Sequence, residues 1–139
     1  MARGATEALA RSPLFADLSQ RDLRRVARAT EIYAYADGRT IVREGTRSEG
    51  FFVILDGQAK VSRGGRTIRR LGPGDFFGEI GLLDGGPRTA TVVAAGPLRV
   101  LVLLRKEFRT LLMDEPKVAY RVLRGSVRRL RTFESGGSS

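Results

Sequence analysis

The chain has 139 residues, 42% of them hydrophobic, which fits a single globular domain with a buried core. It contains no cysteine and no histidine, which excludes disulfides, thiolate chemistry and the commonest metal ligand and general base. The formal net charge of +10 favours anionic partners such as nucleotides, nucleic acid or an acidic protein surface, although an arginine-rich proteome would give the same charge. No apolar run is long enough for a membrane helix and the start lacks a signal-peptide core, so we expect a cytoplasmic protein.

The first predicted elements are helical. Residues 1–11 form an N-terminal segment of small and polar residues, for which we expect a loose helix. Ser19 is a favourable N-cap residue, and Asp22 follows three positions later in the arrangement of a capping box. Apolar residues then recur at helical spacing, which predicts a helix over residues 19–29.

From residue 31 the apolar pattern changes to the alternation that is typical of β-strands, in short runs separated by glycine-containing turns. The dipeptide Asp56-Gly57 is the strongest hairpin signal in the chain. The predicted strands span residues 31–36, 40–43, 51–55, 58–63, 66–71, 90–95 and 98–104. Short strands at this spacing indicate an antiparallel β-sandwich or jelly roll.

Helical spacing returns after the last strand. We predict one helix over residues 106–113 and a second over 116–133, which begins with a proline at its first position. Gly125 in the middle of this last helix weakens it by roughly 1 kcal/mol relative to alanine. Arginines cover much of its surface, as a solvated face, as a contact for an acidic partner or, least favoured, as a DNA-binding surface. Residues 134–139 read as a disordered tail.

The glycine-rich stretch over residues 74–92 contains the groups best suited to bind a ligand. Glu79 offers a carboxylate between two apolar side chains, and Arg88 offers a planar guanidinium that suits a phosphate. A single helical turn over residues 79–84 would present free backbone N–H groups to an anion. The two charged residues would hold different parts of one ligand, pair with each other, or form a surface ion pair in an ordinary hairpin loop.

This stretch resembles a known motif. Residues 77–83, Phe-Gly-Glu-Ile-Gly-Leu-Leu, and residues 87–92, Pro-Arg-Thr-Ala-Thr-Val, are similar to the phosphate-binding cassette of cyclic nucleotide-binding domains. That family includes the catabolite activator protein, the protein kinase A regulatory subunit and cyclic nucleotide-gated channels. Gly81 departs from the more frequent alanine or serine, although some bacterial members have glycine there. The glycine turns and the two closing helices also match, so the resemblance covers residues 12–133.

The resemblance implies a mainly β fold with flanking helices, namely an antiparallel β jelly roll (double-stranded β-helix) with an N-terminal helix and two C-terminal helices. It also implies a role for each cassette residue. Glu79 is expected to accept a hydrogen bond from the ribose 2′-hydroxyl, and Arg88 to bind the cyclic phosphate. Thr89 would donate to the phosphate or to a base edge. Arg129 and Phe133 would cover the base, unless Phe133 packs on the sheets or on a dimer mate. Backbone N–H groups complete the anion site, and the remaining predicted ligand-binding residues are Phe77, Gly78, Ile80, Gly81, Leu82 and Ala90.

The function implied by the resemblance is a non-enzymatic sensor that binds a cyclic nucleotide and signals through the last helix, with cAMP as the favoured ligand and cGMP as the alternative. We predict no catalytic residue, no metal, no cofactor, no DNA binding by this chain and no membrane partner. One alternative is a protein-interaction or dimerisation module of the same fold that does not bind nucleotide. Besides the nucleotide, a second copy of the chain is a candidate partner, in a homodimer through the last helix. Another is the excised sensor domain of a transcription regulator. A cupin-type enzyme is disfavoured because there is no histidine for a metal site.

Overall fold

Two antiparallel sheets and a layer of helices make up the fold. The computed structural model describes residues 2–47 and 50–136, and describes side chains only between residues 5 and 131. The strands are β1 (Glu31–Tyr35), β2 (Thr40–Val42), β3 (Gly50–Asp56), β4 (Ala59–Arg63), β5 (Arg66–Leu71), β6 (Phe76–Phe77), β7 (Thr91–Ala94) and β8 (Leu98–Leu104). The helices are α1 (Ala2–Arg11), α2 (Gln20–Arg28), α3 (Glu79–Asp84), α4 (Arg105–Asp114) and α5 (Pro116–Gly136), with a short 3₁₀ turn at Pro13–Phe15.

Each sheet has four strands among the described residues. One has the order β1-β8-β3-β6 and the other the order β2-β7-β4-β5, and every pairing is antiparallel. The chain therefore crosses repeatedly from one sheet to the other, as a jelly roll does. The predicted fold class, a mainly antiparallel β fold with flanking helices, is confirmed. The two-residue strand β6 was not predicted, because so short a segment has no alternation to detect.

The predicted hairpin at Asp56-Gly57 is wrong. The strands on either side of it, β3 and β4, belong to different sheets, so this turn carries the chain from one sheet to the other. Gly57 has φ +94°, and a Cβ there would lie 2.2 Å from the carbonyl oxygen of Pro97, in the turn that joins β7 to β8. The glycine thus allows two sheet-crossing turns to pack together. The hairpin that does form joins β4 to β5 through Gly64 and Gly65, which both have positive φ.

The two central strands, β3 and β8, are buried on both faces. Phe52 and Ile54 of β3 belong to the core between the two sheets, whereas Phe51 and Val53 pack in the core between this sheet and the helices. A strand buried on both faces reads as a continuous apolar run, which explains why the sequence of β3 shows little alternation. The fold therefore has two hydrophobic cores that share one sheet.

The helices follow the predictions closely, with two differences. The Ser19 Oγ accepts a hydrogen bond from the Asp22 N–H at 3.1 Å, which confirms the predicted N-cap of α2. Helix α1 packs tightly in the helical core, where Leu9 is fully buried, instead of forming a loose helix. Helix α5 ends at Gly136 rather than at residue 133. Across the described residues, no helix is both long and apolar enough to span a membrane.

Candidate functional site

A cavity of about 220 Å³ opens between the sheet β2-β7-β4-β5, helix α3 and helix α5. Strands β4 and β5 form one wall, which has both apolar residues and arginines. The segment around α3 forms a second wall, and α5 lies across a third side. Its lining residues are Val42, Val61, Arg63, Ile68, Arg69, Leu71, Phe77, Gly78, Glu79, Ile80, Gly81, Arg88, Thr89, Ala90, Val92, Ser126, Arg129 and Leu130. An apolar cavity with a few convergent polar groups is the usual form of a small-molecule site.

A sharp glycine turn positions the cavity carboxylate. Gly78 precedes α3 with φ +96°, and a Cβ there would lie 2.6 Å from the Gly50 carbonyl oxygen. Glycine is thus required both by the left-handed backbone and by the close approach of β3. The next residue, Glu79, is 1% exposed. Burying a carboxylate costs free energy unless hydrogen bonds or opposite charges compensate, so the partners of Glu79 define what the site does.

The partners of Glu79 come from helix α5. Ser126 Oγ donates a hydrogen bond to Glu79 Oε2 at 2.7 Å. Arg129 Nη1 lies 3.6 Å from Glu79 Oε1, close enough for an ion pair. The carboxylate therefore links the α3 segment to the helix that crosses the cavity.

The guanidinium of Arg88 connects backbone segments on the other side of Glu79. Its Nη2 donates to the Gly50 carbonyl at 2.6 Å, and its Nη1 donates to the Gly78 carbonyl. Arg88 is 5% exposed, and Glu79 is still more deeply buried. The interpretation of these two residues as a surface ion pair is therefore wrong. Both are buried groups that line one cavity.

The charge of the cavity is strongly positive. Its lining includes the four arginines Arg63, Arg69, Arg88 and Arg129, against the single carboxylate of Glu79. Arg69 Nη2 donates to the Arg129 carbonyl at 3.0 Å. Burial, and then the positive charge of Arg129, lower the pKa of the Arg69 guanidinium. Crowded arginines of this kind are most stable beside an anion, so the electrostatics favour an anionic ligand.

Gly125 allows helix α5 to pack closely against Phe76 beside the cavity. A Cβ on Gly125 would lie 2.6 Å from the ring of Phe76, and the Arg129 guanidinium stacks 4.3 Å from the centroid of the same ring. The prediction that Gly125 simply weakens the helix is incomplete, because the absence of a side chain lets α5 approach β6. Packing thus decides this position more than helix propensity does.

Most residues predicted to bind a ligand do line the cavity. These are Phe77, Gly78, Glu79, Ile80, Gly81, Arg88, Thr89, Ala90 and Arg129. Leu82 instead points into the helical core, where it is 3% exposed. Thr89 is exposed, and its carbonyl accepts a hydrogen bond from Arg63 Nε at 3.0 Å. The side chain of Phe133 lies outside the described residues.

Three polar residues of the cavity were not predicted, namely Ser126 on α5, Arg69 on β5 and Arg63 on β4. Ser126 lies three positions before Arg129 on α5, a spacing that puts both on one helical face and that the sequence does display. Arg69 lies on β5, and only the pairing of β5 with β4 brings it to the cavity. Ser126 was predictable from helical spacing, whereas the positions of Arg63 and Arg69 at the cavity depend on tertiary structure.

Comparison with known proteins gives one consistent result. A family model described as the cyclic nucleotide-binding domain matches residues 33–115, which is more than half of the chain. The cAMP-dependent protein kinase regulatory subunit of Mycosarcoma maydis is 36% identical over 109 residues, covering 72% of this chain and 21% of that protein. The cGMP-dependent protein kinase egl-4 of Caenorhabditis briggsae is 37% identical over 113 residues, covering 76% of this chain and 15% of that protein.

The folds agree as well. A solved structure of cAMP-bound PfPKA-R superimposes with a TM-score of 0.88 at 29% identity, covering 98% of this chain and 47% of that one. This chain spans only a small part of the length of the relatives that it matches, so the similarity concerns one domain of those proteins. The fold and the family model agree in their assignment, and the chain belongs to the cyclic nucleotide-binding domain family.

Proposed function

We propose that this chain is a non-enzymatic sensor that binds a cyclic nucleotide, cAMP in preference to cGMP, in the cavity under α5. The observation that carries the proposal is the burial of Glu79 and Arg88 in one cavity of a cyclic nucleotide-binding domain. A cyclic nucleotide offers one phosphate anion and one ribose hydroxyl. The cavity offers one buried guanidinium and one buried carboxylate, which match those two groups.

The proposed roles follow from the chemistry of each side chain. Arg88 binds the cyclic phosphate, since a guanidinium has five N–H donors and can serve an anion as well as two carbonyls. The backbone of residues 78–82 completes this anion site. Glu79 would repel the phosphate and therefore faces the ribose 2′-hydroxyl. Arg129 stacks on the base, and Thr89 contacts the phosphate or a base edge.

Helix α5 is the element that we propose transmits the signal. Ser126 and Arg129 contact the same carboxylate that would receive the ribose hydroxyl. A nucleotide at Glu79 therefore changes the bonds that hold α5 over the cavity, and a ligand that favours one position of α5 shifts its population. The proposed domain spans residues 12–133, and α1 packs against it.

Calorimetric titration of the chain with cAMP, cGMP and linear AMP tests the binding. We expect cAMP to bind more tightly than cGMP. AMP should bind least well, because its phosphate carries a second negative charge and is not closed into a ring with the ribose. Absence of heat for both cyclic nucleotides at millimolar concentration would refute the proposal. Tighter binding of cGMP would support the proposal of a cyclic nucleotide sensor but reverse its proposed specificity.

A second titration tests the role of Glu79 itself. The chain should bind cAMP at least about tenfold more tightly than 2′-deoxy-cAMP, because a hydrogen bond to a charged group contributes about 1.5–3 kcal/mol. Glu79→Gln keeps the shape of the side chain but removes its charge, so it should reduce this discrimination severalfold. Equal discrimination in the variant and the original chain would remove Glu79 from the ribose site.

A further inference from the structure

The outer face of α5 carries an exposed apolar row. Tyr120, Leu123, Val127 and Leu130 are 63%, 61%, 45% and 57% exposed. Their spacings of three, four and three residues match the a and d positions of two heptads. Large apolar side chains arranged as a seam on one helical face indicate a surface for another helix.

The opposite face of α5 is already used by the fold. Val118 and Val122 are buried in the helical core, and Gly125 packs against the Phe76 ring. The exposed row is thus not a displaced part of the core. It lies about half a turn around the helix from the buried face, where a partner can reach it without disturbing the domain.

The charges beside the row indicate which partner fits. In the same heptads, exposed Arg124 and Arg131 occupy the e positions, whereas Ala119 and Ser126 occupy the g positions. Residues at e and g meet across a helix pair and set partner choice. A second copy in parallel would place alanine or serine opposite each arginine, and an antiparallel copy would place arginine opposite arginine. Neither arrangement neutralises the arginines, whereas acidic residues on a different helix would.

We propose that the outer face of α5 binds an acidic amphipathic helix of another protein. The partner helix packs leucine-like side chains on the Tyr120–Leu130 row and directs glutamates or aspartates toward Arg124 and Arg131. This surface meets the cavity only at Leu130, which also lines the cavity.

A selection experiment with the full chain as bait tests the chemistry of the partner. The library displays 21-residue helical peptides with Leu or Ile at a and d, and with Glu, Gln or Lys at each e and g position. We expect the selected peptides to be enriched in Glu at the positions that face α5. Enrichment of Lys or Gln, or no enrichment of any sequence, would overturn the proposal.

Charge-reversal variants then locate the binding surface. Fluorescence anisotropy with a labelled selected peptide should show at least a tenfold loss of affinity for the double variant Arg124→Glu, Arg131→Glu. The matched control is Arg21→Glu, Arg24→Glu on α2, which changes two exposed arginines and the net charge equally. An equal loss in both variants would show that only net charge matters, and would contradict the proposal. Thermal unfolding verifies that each variant is folded.

The oligomeric state of the chain tests the competing occupant. Sedimentation equilibrium should find a monomer at the concentrations used for peptide binding. A dimer that Leu123→Lys dissociates would assign the face to a second copy of this chain and overturn the proposal of an acidic partner.

Discussion

At the residue scale, the site depends on two buried charges held by different parts of the chain. The apolar neighbours of Glu79 in sequence indicate partial burial, and the structure shows it 1% exposed. The bonds that Ser126 and Arg129 make to Glu79 could not be predicted from the sequence, because they depend on how α5 crosses the sheet. Local sequence thus predicts the charged groups, and tertiary packing decides what they bond to.

Removing the guanidinium of Arg88 should weaken ligand binding and also lower the stability of the fold. We expect Arg88→Ala to weaken cAMP binding by about 2–5 kcal/mol, because the phosphate loses its charged partner. The melting temperature should fall as well, since the Gly50 and Gly78 carbonyls lose their donor. Titration and thermal unfolding measure the two effects separately.

Arg63→Ala is the matched control for this variant. Arg63 also lines the cavity but is only half-buried, and its Nε binds the Thr89 carbonyl. Its replacement should weaken cAMP binding less than that of Arg88. Unchanged affinity in Arg88→Ala would show that the cavity does not bind phosphate through this residue.

At the element scale, turns and helices show where local signals succeed and fail. The N-cap of α2 and the short helix α3 were predicted correctly, because each depends on neighbours within a few residues. The Asp56-Gly57 turn was misassigned as a hairpin, because the same dipeptide suits a sheet-crossing turn. Strand β3 pairs instead with β8 and β6, which are distant in sequence and which a turn signal does not report.

Gly125 in α5 provides a test at this scale. Helix propensity alone predicts that Gly125→Ala gains about 1 kcal/mol. We expect a lower melting temperature instead, because the new Cβ would overlap the Phe76 ring and overpacking typically costs about 1–3 kcal/mol.

A second substitution identifies the cause of that loss. Phe76→Leu in the Gly125→Ala background makes room for the methyl group, so it should cost less stability there than it does alone. A higher melting temperature for Gly125→Ala by itself would show that propensity outweighs packing at this position.

At the scale of the whole molecule, two cores share the sheet β1-β8-β3-β6. The sandwich class was predictable, because strand lengths and turn spacing are local properties repeated along the chain. The contribution of α1 was not predictable, because its small residues show little hydrophobicity. In the folded chain, Ala5 and Leu9 of α1 belong to the same core as Val118 and Val122 of α5.

This shared core predicts that α1 stabilises the entire domain. Leu9 is fully buried, so we expect Leu9→Ala to lower the free energy of unfolding by about 2–5 kcal/mol. The control Leu123→Ala, at a residue 61% exposed, should change it by less than about 1 kcal/mol. Urea denaturation measures both variants. Equal effects would mean that α1 does not contribute to the cooperative core.

Leu130 both lines the cavity and ends the exposed row of α5. The two proposed binding events therefore act on one helix from opposite sides. Thermodynamic linkage makes any coupling between them reciprocal. If a nucleotide changes the affinity of α5 for an acidic helix by some factor, that helix changes the affinity for the nucleotide by the same factor. The partner would then do more than report nucleotide concentration, because its own abundance would set the concentration to which the cavity responds.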